Sequence, residues 1–314
     1  MLKKLSDQKL DSNQKIYLYF AIAKAYEDLN QFSNSIQYLK KGNNLQRKIL
    51  NYNSNFYKNL PKKIINIFNQ IDYKKLTKDN GGENYIFILG MPRSGTSLIE
   101  KIISSHSKVK SLSETNFVSD IIFKNLYNNF DKNINEINNF LQKNLSQEYN
   151  NFLKSFNINS KLVIDKTLSN FWCIGFIKIF FPNAKIIHSF RNSKDNLLSI
   201  YKNLFDTHEG WFYEENELKE YYLSYKEIMS YWNEIFKNEI LNFKYEELIK
   251  NPEAQIKNLI NYCNLEWEEN CLRFYENKNP IKTLSVNQAN QPLYETSINK
   301  SDFFEKEISN LFNL

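Results

Sequence analysis

Between Gly90 and Ser97 the chain reads Gly-Met-Pro-Arg-Ser-Gly-Thr-Ser, which sets one guanidinium, three hydroxyls, two glycines and a proline in eight consecutive residues. An apolar run of strand length, Tyr85 to Leu89, precedes it, and Leu98, Ile99, Ile102 and Ile103 follow at helical spacing. A loop between a strand and a helix turns successive backbone N–H groups toward one point, where the helix dipole also favours negative charge. Aligned on the pattern G-x-x-x-x-G-K-[ST], the loop fits at Gly90, Gly95 and Ser97, but Thr96 stands where the lysine belongs. A nucleoside triphosphatase needs that lysine on its β and γ phosphates. Here the only cation of the loop is Arg93, with Ser94, Thr96 and Ser97 as hydroxyl donors, a set that suits one compact oxyanion better than a triphosphate with its Mg²⁺. Turn chemistry alone calls for neither the arginine nor three hydroxyls.

Three further groups fall just after predicted strands. Arg191 follows Lys185 to Phe190, with Ser199 two helical turns on; a guanidinium fork binds phosphate bidentately and a serine adds a directed donor. Lys166 follows Val163-Ile-Asp, where the bland alternative is a surface ion pair with Asp165. Glu114 ends Val109 to Glu114; it is either a base for an acceptor proton or an acid favoured by a helix N-terminus.

Met91 to Leu98 resembles the 5′-phosphosulfate loop of sulfotransferases, above all the branch with an N-terminal tetratricopeptide-like segment that is related to protein-tyrosine sulfotransferases. The resemblance implies a donor, 3′-phosphoadenosine 5′-phosphosulfate (PAPS), a hydroxyl-bearing acceptor and no metal. It implies that Arg93, Ser94, Gly95, Thr96 and Ser97 hold the 5′ end of the donor and that Arg191 and Ser199 hold its 3′-phosphate. Lys166 matches the family's Asp-Lys after a central strand, and would neutralise charge on the leaving oxygen. Glu114 matches the base of the tyrosine-sulfating relatives. Ser285, in Thr283 to Tyr294, matches a residue beside the transferred group; Tyr245 corresponds to the tyrosine bordering the adenine, and Lys300 to a late basic residue near the cofactor. The sequence departs from the family pattern at Leu168, Ser193, Asn290 and Ser301.

The elements that must position these groups alternate. Strands are expected over Tyr85 to Leu89, Val109 to Leu112, Lys161 to Asp165, Ala184 to Phe190 and Ile240 to Tyr245, with apolar helices over Asn170 to Phe181 and Lys194 to Phe205, and a long Tyr-rich one over 217–238. This alternation predicts an α/β fold, a P-loop-like parallel sheet flanked by helices, with ligands beyond the carboxyl ends of the strands. Residues 15–50 carry a helical period that fits a single tetratricopeptide-like unit, which cannot stack a core alone. With the turn Asn80-Gly81-Gly82 as boundary, the expected division is a helical segment over 1–82 and a catalytic domain over 83–314. The N-terminal helices are the candidate surface for a protein partner.

Formal net charge is +6, from 41 basic and 35 acidic residues without long blocks, and no basic stripe points to nucleic acid. Cys173, Cys263 and Cys271 form no C-x-x-C pair and read as buried thiols; His106, His188 and His208 form no H-E-x-x-H. The longest apolar stretch, Phe171 to Phe181, is short of a membrane span, so a soluble, cytoplasmic chain is expected. Two alternatives stand beside sulfuryl transfer. One is a nucleotide-dependent phosphotransferase with a degenerate loop, for which Asp165 is the candidate Mg²⁺-binding acid. The other is a non-catalytic interaction protein. The acceptor is expected to be a carbohydrate, lipid, small metabolite or peptide tyrosine, chosen by loops such as 124–157 and 206–216 that carry no readable code.

Overall fold

The computed structural model describes residues 1–7, 9–76, 81–127, 134–142, 145–156, 160–206, 208–277, 290–293 and 298–314. The chain divides into two compact units, one of residues 1–58, 192–224 and 296–314, the other of residues 59–191 and 225–295.

In the larger unit five strands form one sheet: β1 (Tyr85–Leu89), β2 (Val109–Ser111), β3 (Leu162–Asp165), β4 (Lys185–Phe190) and β5 (Ile240–Lys244). Their order is β2-β3-β1-β4-β5, and every pairing is parallel. The α/β expectation and the five strand positions therefore hold. All five residues of β1 are buried, as a central strand covered on both faces requires. Ile86 and Ile88 share one cluster with Ile99, Ile102 and Ile103 of the following helix, Thr96–Ile103. Phe87, one residue out of phase, instead meets the rings of Tyr149 and Phe181. The chain leaves β1 toward β2 on one side and leaves β4 toward β5 on the other, so the crevice between the carboxyl ends of β1 and β4 is the switch point of the sheet.

The apolar helix expected over Asn170 to Phe181 begins differently. Leu168–Cys173 is a 3₁₀ helix, and the α-helix proper is Ile174–Phe180. The carbonyls that would close α-helical turns are engaged elsewhere: Leu168 O accepts from Gly90 N (3.4 Å), Phe171 O from Trp232 Nε1 (3.0 Å) and Trp172 O from Tyr127 Oη (2.7 Å). The three cysteines are buried free thiols.

The smaller unit holds a helix pair, Ser12–Asp28 and Phe32–Ile49. The first opens on a capping box, in which Asp11 accepts from Gln14 N (2.8 Å) and Gln14 accepts from Asp11 N (3.2 Å). Arg47 forks onto Glu217 with bonds of 2.6 and 2.8 Å, and buried Asn43 donates to Tyr201 O at 3.0 Å. The buried carboxylate of Asp195, on the helix Ser193–Tyr201, accepts from Asn299 N (2.7 Å) and Ser301 N (2.8 Å) and so ties the C-terminal segment to that helix. Trp211 lies flat on Tyr221, with centroids 3.7 Å apart and planes at 5°.

Candidate active site

The loop after β1 departs from ordinary backbone at three places: φ is 141° at Gly90, 66° at Arg93 and 105° at Gly95. A Cβ on Gly90 would lie 2.2 Å from Ser189 O of β4, so only glycine lets the two central strands approach there. One on Gly95 would lie 2.8 Å from the ring of Tyr245, which packs over the loop. Ser189 Oγ donates to Ser94 O at 2.8 Å and pins the loop to β4. Left-handed residues interleaved with ordinary ones make a concave nest of N–H groups at the start of the Thr96–Ile103 helix. Ser94 Oγ is buried there with no hydrogen-bond partner among the described residues. Thr96 and Ser97 are also buried, and Arg93 is half-buried.

Lys166, just past the end of β3, is fully buried. Its ammonium donates to Glu114 Oε1 at 2.6 Å and faces Glu100 Oε2 at 3.5 Å. Glu100 is itself fully buried, and its Oε1 accepts from Ser111 Oγ (2.6 Å) and Ser113 Oγ (2.9 Å). Glu114 keeps 43% of its side chain exposed, so of the two carboxylates on Lys166 it is the one open to an incoming molecule. Asp165 turns to other partners. It accepts from Thr115 Oγ1 (2.6 Å), Tyr149 Oη (3.0 Å) and Thr167 Oγ1 (2.7 Å), while burial raises its pKa above the usual carboxylate value against these bonds. An Asp165–Lys166 surface pair is thus replaced by two buried groups with separate partners.

Arg191 follows β4, and its guanidinium lies over the Tyr245 ring, 5.0 Å from the centroid. Both belong to the larger unit, whereas Ser199 and Lys300 belong to the smaller one. Ser199 is half-buried one turn after Asp195; Lys300 is exposed, between the two amides that Asp195 holds. Ser285 lies outside the described residues.

Sequence reasoning passed over Glu100. Only the structure shows that Glu100 and Lys101 stand in a helix in which seven of eight residues are buried, so that both need a partner inside. Lys101 finds one in Asn277 O at 2.6 Å. His188 is buried with Nδ1 on Asn242 Oδ1 (2.7 Å) and Nε2 on Tyr225 Oη, and burial pushes its imidazole down to about 4 despite the Asn242 bond, so it is neutral and structural. Among the described residues no helix is long and apolar enough to cross a membrane, and no three His, Cys, Asp or Glu side chains are grouped to hold a metal ion.

A parallel sheet with a nest-forming loop at its switch point defines a P-loop-like α/β protein. The chain belongs to the Sulfotransferase family, whose profile matches residues 85–269. An uncharacterized protein of Aquifex aeolicus (strain VF5) is 29% identical over 305 residues, covering 92% of this chain and 40% of its own. Protein-tyrosine sulfotransferase A of Caenorhabditis elegans is 25% identical over 208 residues, 60% of this chain and 52% of that one. The chain therefore spans about half or less of the length of these relatives. The sulfotransferase domain from the Synechococcus PCC 7002 olefin synthase shares the fold, with a TM-score of 0.51 and 18% identity over 72% of this chain and 90% of that domain.

Proposed function

We propose that this chain transfers a sulfuryl group from PAPS to a hydroxyl of an acceptor that is a carbohydrate, lipid, small metabolite or peptide tyrosine. The observation that carries the reading is the buried ammonium of Lys166 on the half-exposed carboxylate of Glu114, tied through Glu100 to the helix that the anion loop opens. The residues fit such a donor. The nest of N–H groups and the buried Ser94 hydroxyl answer an anionic oxygen, and Arg191 on Tyr245 offers a guanidinium for a phosphate beside an aromatic face. When bound, PAPS supplies an activated sulfuryl group on an anionic carrier.

The chain's own work is then electrostatic and prototropic. Glu114 removes the acceptor's hydroxyl proton, Lys166 and Arg93 supply positive charge around the reacting group, and Ser94, Gly95, Thr96 and Ser97 orient it. Ser285 completes that set; Arg191, Ser199, Tyr245 and Lys300 are proposed to hold the nucleotide end. Residues 83–314 form the proposed catalytic domain, residues 1–82 a helical segment available to a protein partner, and the proposed location is the cytoplasm. A Mg²⁺-dependent phosphotransferase would need Asp165 as a metal ligand, but that carboxylate is already shared among Thr115, Tyr149 and Thr167.

Ligand-dependent melting tests the reading. Adenosine 3′,5′-bisphosphate at micromolar concentration is expected to raise the Tm more than ATP with Mg²⁺ does, because a ligand bound only by the native state stabilises it by mass action. A larger shift with Mg-ATP would favour the phosphotransferase. Supplying PAPS and cell extract and searching by mass spectrometry for sulfated products would then identify the acceptor.

A further inference from the structure

Glu100 is an expensive residue for its place. It is fully buried, and while Oε1 is satisfied by Ser111 and Ser113, Oε2 has no hydrogen-bond partner among the described residues and faces Lys166 at 3.5 Å. A buried carboxylate so incompletely bonded costs folding free energy, and a neutral group of the same shape would be cheaper. Lys166 does not need it for neutrality, since Glu114 already binds the ammonium at 2.6 Å. Counted formally, two carboxylates against one ammonium leave one negative charge in excess.

We propose that Glu100 is a positioning residue that shares Lys166 with Glu114, so that the ammonium never belongs to Glu114 alone. A carboxylate in an exclusive one-to-one pair with a buried ammonium is held in place by the full attraction of that pair. Glu100 takes part of the attraction from a buried position pinned by the hydroxyls of Ser111 and Ser113, which leaves the half-exposed Glu114 able to turn to an acceptor hydroxyl. Once Glu114 has taken a proton, Glu100 still supplies the buried ammonium with a counter-charge. The same excess charge weakens the hold of the site on any anion near Lys166, which favours release of an anionic product. The role of Glu114 in this inference rests on the proposed function, whereas the effect of Glu100 on anions rests on charge alone.

Glu100→Gln removes the charge and keeps an oxygen for the two serine hydroxyls. Three quantities are read: Tm, the affinity for inorganic sulfate by calorimetry, and kcat and KM with PAPS and an accepted hydroxyl compound. We expect a Tm equal to or above that of the wild type, sulfate bound about tenfold more tightly, and kcat lowered about 10- to 100-fold with KM for the acceptor little changed. Glu100→Asp, which restores the charge, should recover most of both changes. A Glu100→Gln protein that melts well below the wild type, or does not fold, makes Glu100 a structural residue and overturns the proposal. So does unchanged sulfate affinity, or a Glu100→Asp protein as impaired as Glu100→Gln. A wild type that turns over no acceptor and ignores adenosine 3′,5′-bisphosphate sinks the proposed function instead, and the sulfate and melting measurements still decide the role of Glu100.

Discussion

Glu114 and Arg191 are the residues at which chemistry and scaffold predict different numbers. As general base, Glu114 acts on the acceptor proton in the transition state, so Glu114→Gln should lower kcat by about 10²- to 10⁴-fold and leave donor affinity nearly unchanged, measured by steady-state kinetics and calorimetry. Wild-type turnover in that variant would assign the proton to another group. Arg191 lies over the Tyr245 ring, a contact that packing alone could require. Arg191→Ala should therefore weaken PAPS binding but barely affect an analogue lacking the 3′-phosphate, and equal losses for both would reduce the arginine to packing. Gly90 has no such ambiguity. Its φ of 141° and the 2.2 Å approach of a Cβ to Ser189 O predict that Gly90→Ala costs at least about 1 to 3 kcal/mol in denaturant unfolding, with loss of anion binding.

At the scale of elements, the loop Gly90 to Ser97 was legible because its glycines answer a backbone requirement while its arginine and hydroxyls exceed what a turn needs, and the five strands because their apolar runs are short and bounded. The stretch Leu168–Cys173 was not, since its apolar pattern suits an α-helix and only tertiary partners claim its carbonyls. Sequence periodicity reports which face is apolar; it does not report that Tyr127 Oη will reach Trp172 O from 45 residues away. The same limit hid Glu100, whose partners Ser111, Ser113 and Lys166 come from two other strands or their ends. That bond gives a prediction of its own. Tyr127→Phe leaves the buried Trp172 carbonyl without this donor and should cost about 1 to 3 kcal/mol by chemical denaturation, with the fold retained. An unchanged midpoint would mean that the 3₁₀ stretch is held by its other contacts.

For the whole molecule, acid stability should carry the mark of His188. Its imidazole takes up a proton near 6.5 in the unfolded chain but only at about 4 in the native one, chiefly because it is buried. Between those values the unfolded state binds more protons, so stability falls as pH drops from about 6.5 to 4, by as much as about 3 kcal/mol. His188→Gln, which can still bond Asn242 and Tyr225, should flatten unfolding curves across that window, and curves that stay parallel to the wild type would rule out the titration. Asp165 works in the opposite sense, because its raised pKa means that the native state gives up its proton later than the unfolded one as pH rises. The flat stack of Trp211 on Tyr221 has another use. Of the four tryptophans, Trp211 alone falls in the unit of residues 1–58, 192–224 and 296–314, while Trp172, Trp232 and Trp267 fall in the other. The chain thus carries its own fluorophore in the smaller unit, and the emission difference between wild type and Trp211→Phe reports on that unit alone. Followed through a denaturant series beside the emission that remains, it shows whether the two units lose their structure at one midpoint or at two.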